Sequence, residues 1–264
     1  MSDDEVAVLA VSSFVALIRW GMWYYRAKRP PALLASPFAR WPLLLIPPLC
    51  AVALWLILSE WSASDVRGIY VIFYMMIGAA WVGVGTLLLP VHGIFPAVDL
   101  IERRNPAVRL PIAGALLGMT LCFAGGNIGD GPGWWVVFFS AGLATLGWIL
   151  LWALADLFTG ITRSITVERD NAAGMRLFAL LVGSGLILGR AVAGDWHSTL
   201  DTVIDFGELA WPAVGLLAVE AVFGIPGKPR PHNPHPSIIL FGFMPVVVSL
   251  GGALAYIIAL EWWT

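Results

Sequence analysis

E-R-R-N-P-A-V-R-L-P, residues 102–111, decides the fold: it is a charged, capped entrance to an apolar run, and the chain writes it more than once. S-P-F-A-R-W-P begins at Ser36 and E-R-D-N-A-A-G-M-R-L at Glu168. In each, Ser or Asn can accept a hydrogen bond from a free N–H of the first helical turn. The Pro that follows Ser36 and Asn105 removes another donor and presets φ. Such a device matters most where a helix leaves water for a solvent that satisfies none of its first N–H groups. The spacing predicts helix N-caps at Ser36, Asn105 and Asn171, with a reduced fourth copy at Asn233-Pro234.

The solvent in question is a bilayer. Of 264 residues, 59% are hydrophobic and only 12% charged, and the mean hydropathy is +0.84, which excludes an ordinary soluble surface. Apolar runs long enough to cross a core of roughly 30 Å lie near residues 6–25, 41–60, 69–90, 110–128, 133–157, 171–192, 206–225 and 237–260. The expected fold class is therefore an all-α integral membrane protein with eight transmembrane helices. Acids rather than bases open the chain (Asp3, Asp4, Glu5), so the first run reads as a retained helix, not a signal peptide. Cys50 and Cys122 fall within apolar runs and read as small buried hydrophobes.

Twelve of the 15 Lys and Arg residues fall in or beside the loops after the first, third, fifth and seventh runs. The positive-inside rule makes those loops cytoplasmic and puts both termini outside. A net charge of -2 gives no reason to expect nucleic acid as a partner.

The entrances also set a period. Aligning Asn105 with Asn171 brings Glu102 over Glu168 and Arg103 over Arg169. Asp65, Asp130 and Asp195 recur in the outer loops, and His92, Asp156 and Glu220 at the inner ends of odd-numbered helices. Three landmarks in phase predict four parallel two-helix units, approximately 1–65, 66–130, 131–195 and 196–264, with pseudo-symmetry about the membrane normal.

From Glu168, E-R-D-N-A-A-G-M-R-L-F-A-L-L-V-G-S-G-L-I-L-G resembles the YjfL-type family of bacterial inner-membrane proteins, in which an Asn-x-Ala entrance opens a glycine-rich second helix of a two-helix repeat. The likeness is best over residues 99–225. It implies a multi-pass protein of a bacterial inner membrane with about twice the helices of typical members, and it implies no catalytic residues.

Four features are candidates for function. His92, Asp156 and Glu220 form a candidate polar cluster at the cytoplasmic end; intramembrane ionisable groups often line ion paths, although headgroups are within reach here. Asp65, Asp130 and Asp195 form a candidate acidic outer mouth, with the alternative that they are turn residues. The prolines around His232 and His235 favour a solvated linker over a metal site. Gly114-x-x-x-Gly118 and Gly185-x-x-x-Gly189 are expected packing faces between repeats or between protomers.

No nucleophile-base pair, phosphate loop or zinc helix is legible, so a non-enzyme without a cofactor is favoured. Two classes remain. One is a cation or small-solute pathway lined by His92, Asp156 and Glu220. The other is a scaffold or accessory subunit in which glycine faces bind helices, in a homo-oligomer or with another membrane protein, and basic loops dock a cytoplasmic partner.

Overall fold

A computed structural model describes residues 1–28, 40–64, 66–228 and 236–260. The described chain has eight helical spans long and apolar enough to cross a membrane, so the protein is an all-α polytopic membrane protein. The spans are α1 (Asp3–Lys28), α2 (Trp41–Glu60), α3 with α4 (Ile69–Gly85, Leu88–Val91), α5 (Arg109–Gly125), α6 (Trp134–Thr159), α8 (Asn171–Ala191), α9 with α10 (Thr199–Ala210, Pro212–Gly224) and α11 (Met244–Ala259). A short α7 (Ile161–Thr166) follows α6.

The boundaries follow local chemistry. A 3-10 turn over Pro106–Val108 leads into α5, and Asn105 caps it by accepting from the Ala107 N–H at 3.0 Å. α8 is capped one residue earlier than the sequence suggests: Asp170, not Asn171, accepts from the Ala172 N–H at 2.8 Å, and Asn171 is the first helical residue. Aspartate serves at an N-cap as well as asparagine does, so aligning the two asparagines puts the loops one residue out of phase.

With Asp170 set over Asn105, the local hydrogen bonds coincide. Asn105 N–H reaches Asp99 O and Asp170 N–H reaches Ser164 O; Arg103 N–H reaches Val98 O and Glu168 N–H reaches Arg163 O. The residue before each cap, Arg104 or Arg169, is left-handed, with φ of 51° and 57°. Ser36 and Asn233 lie outside the described residues. The seventh span begins at Thr199, earlier than hydropathy alone suggests, because the Ser198 hydroxyl accepts from Asp201 N–H.

The helices form two rows. α2, α5, α8 and α11 pack in that order in one row; in the other, α1 packs on α3 and α6 on α10, with Trp81 of α3 reaching Thr145 of α6 at 3.2 Å. Each hairpin lies beside the next, and α1 and α2 do not pack closely on α10 or α11. A ring of hairpins around a central axis, which would gather equivalent positions, is not what these contacts describe.

The middle of the row is the core. Within α5 and α8, 78% of the central stretch is buried, against 11% in α1. Glycine makes this possible. A Cβ on Gly185 would stand 2.6 Å from the Gly118 carbonyl oxygen, and one on Gly189 would meet the Leu121 carbonyl oxygen. Gly114 sits against the Phe178 backbone. Near the start, Gly174 lies on Ala107, and near the end Gly125 lies on Gly189, so the two helices run parallel in almost equivalent register. Backbone-to-backbone packing supplies van der Waals contact where no hydrophobic drive exists between helices in lipid.

Candidate functional site

The inner-end series divides between two settings. His92 follows α4 and stacks face to face on Trp152 of α6, with ring centroids 4.0 Å apart and planes 7° from parallel. Burial there holds its imidazole below the ordinary value, while the nearby Asp156 carboxylate pulls the other way. Asp156 accepts from the Thr162 N–H at 2.9 Å, closing the turn in which Gly160 takes φ of 63°. It thereby ties the end of α6 to α7.

Glu220 belongs to the other setting. Its Oε2 lies 3.0 Å from Arg176 Nε, both side chains 2% exposed, and Arg176 Nη1 donates to Phe241 O at 2.6 Å. Three elements therefore meet at this ion pair: α8, α10 and the π-helical stretch Ile239–Phe243 leading into α11. Glu220 Oε1 is buried without a hydrogen-bond partner. The structure thus brings His92 near Asp156 and gives Glu220 to Arg176. The legible signal was that Arg176 and Glu220 are opposite charges on the sixth and seventh apolar runs.

On the outer face the aspartates join loops. Asp130 Oδ1 accepts from Ser64 N–H at 3.0 Å, and Asp195 Oδ1 accepts from Asp130 N–H at 2.8 Å. Backbone bonds run beside them: Ala63 N–H to Asn127 O, Gly194 N–H to Ile128 O and Trp196 N–H to Asp130 O. Each outer loop is laced to the next by a carboxylate and by main chain. Asp130 and Asp195 are exposed; Asp65 lies outside the described residues.

Two hollows lie along α1. Near its inner end a cavity of about 510 Å³ is lined by Arg19, Arg26, Thr86, Phe95 and Glu102 among others. Arg19 donates from Nε to Gly83 O at 3.0 Å and from Nη2 to Thr86 Oγ1 at 2.7 Å, capping the end of α3 where the helix breaks before α4. Towards the outer end, a groove of about 740 Å³ runs between α1, α3 and α6, lined by Val8, Val11, Val15, Ile77, Trp81 and Phe138 with few polar neighbours.

Among the described residues, no three His, Cys, Asp or Glu side chains are grouped to hold a metal ion. His232 and His235 lie outside them. Cys50 and Cys122 are free and buried. A scan against protein-family models, a search of curated proteins and a search of solved structures each found no match.

Proposed function

We propose that this protein is a membrane scaffold or accessory subunit, built from four tandem two-helix repeats, rather than a conduit for a cation or small solute. The observation that carries the reading is the α5–α8 seam. Two parallel helices meet backbone to backbone at Gly118, Gly185 and Gly189, which closes the α5–α8 interface itself to water. Polar groups that could have lined a pathway have structural work: Asp130 and Asp195 hold loops, Asp156 holds the α6–α7 turn and Glu220 neutralises Arg176.

In this reading the protein sits in a bacterial inner membrane, both termini outside, and its arginine-rich inner loops dock an acidic surface of a cytoplasmic partner. Kinship with the YjfL-type family, resting on the entrance after Glu168, is part of the same proposal. The matched hydrogen bonds 65 residues apart in the two inner loops support the repeat.

One observation favours the pathway instead: Glu220 Oε1, buried and without a hydrogen-bond partner, is a group that a passing cation or proton could use. Thiol accessibility separates the two. With Cys50 and Cys122 replaced by serine, single cysteines from 147 to 156 and from 211 to 220 are labelled from each side with an impermeant reagent. A scaffold labels only at the interfaces. A helical stripe labelled deep into either segment overturns the scaffold reading.

A further inference from the structure

One face of α1 changes character along its length. Val8, Val11, Val15, Arg19, Met22 and Arg26 follow one another at intervals of three or four residues, so they form one stripe on the helix. The first three line the apolar groove, and the last three line the inner cavity. Leu87, in the break between α3 and α4, borders both hollows. The two hollows thus meet at Leu87, one apolar and the other cationic.

Among the described residues neither cation is held in an ion pair. Ion pairs join Arg103 to Asp99 and Arg176 to Glu220, and Arg19 and Arg26 belong to neither. Glu102, exposed, is the carboxylate in the cavity lining. Arg19 uses Nε and Nη2 to cap α3 and also lines the cavity. From Val8 to Arg19 the stripe rises about 16 Å, the reach of a long acyl chain. A free anion has no use for the groove, and an apolar partner helix none for the arginines.

We propose that this face binds one anionic phospholipid, its headgroup phosphate drawn into the cavity by Arg19 and Arg26 and one acyl chain laid in the groove between α1, α3 and α6. Anionic lipid is concentrated in the cytoplasmic leaflet, the leaflet that the basic loops face under the positive-inside rule. The site is independent of whether the protein is a scaffold or a pathway.

The test is native mass spectrometry of the purified chain in mild detergent, titrated with phosphatidylglycerol or phosphatidylcholine. Wild type should retain one phosphatidylglycerol per chain in preference to phosphatidylcholine. Arg26→Gln, at an exposed position, should weaken that retention about fivefold. Val11→Trp, at a position 63% exposed, fills the groove without disturbing the core and should abolish it. Equal retention of the two lipids overturns the proposal. So does wild-type retention in either variant, or a second protein copy in place of lipid.

Discussion

Arg176 Nε and Glu220 Oε2 stand 3.0 Å apart, sealed from solvent and 44 residues distant in sequence. The pair joins α8 to α10, and through Phe241 O to the approach of α11. Removing one partner leaves a buried charge alone, so Arg176→Met should destabilise by about 3–5 kcal/mol. Replacing both, as Arg176→Met with Glu220→Leu, should recover much of that loss. Thermal unfolding in detergent of the two single variants and the double variant gives the coupling; additive effects would mean that the pair is not an interacting unit.

The α5–α8 seam makes its own prediction. Gly185→Ala places a methyl group against the Gly118 carbonyl and should cost about 1–3 kcal/mol through forced separation of the two backbones. Gly251→Ala and Gly252→Ala meet nothing within 4 Å and should be neutral or slightly stabilising. Thermal stability of the three variants side by side checks the contrast.

Capping of α8 is decided by one substitution against its neighbour. Asp170→Ala should cost about 1 kcal/mol, because the Ala172 N–H loses its acceptor. Asn171→Ala, at the first helical position, should change little. If the asparagine variant is the weaker of the two, the loop register derived from Asp170 is wrong.

The outer loops depend on an acceptor rather than on a charge. Asp195→Asn keeps an oxygen for the Asp130 N–H and should leave the loops in place. Asp195→Ala should raise amide exchange over residues 126–133 by a factor consistent with roughly 1 kcal/mol. Hydrogen exchange read by mass spectrometry distinguishes this lacing from an acidic mouth, in which both variants would behave alike.

His92 gives a pH dependence with a definite sign. Burial lowers its folded value below the ordinary 6.5, so the unfolded chain binds the proton more readily. Its contribution is complete above pH 6.5 and declines as pH falls below that towards the folded value. Wild type should therefore lose more stability between pH 7 and 5 than His92→Gln does, as melting curves across that range would register.

How far the sequence could be read follows from which forces were local. Hydropathy and caps act on neighbouring residues, so eight spans and the Asn105 cap were legible along the chain. Asp170 escaped because two capping residues stand side by side, and only backbone geometry, with Arg169 left-handed just before the cap, selects between them.

What the sequence by itself determined is the solvent and the class: an apolar all-α chain with eight spans long enough to cross a bilayer. What only the tertiary structure decided is how hairpins meet. Glycine spacing marked α5 and α8 as packing faces, but that they face one another in nearly equivalent register depends on the backbone approach of Gly118 to Gly185. The partner of Glu220 was decided in the same way. A charge in lipid needs a counter-charge, but which helix supplies it is fixed by packing across 44 residues of sequence, and no local rule spans that distance.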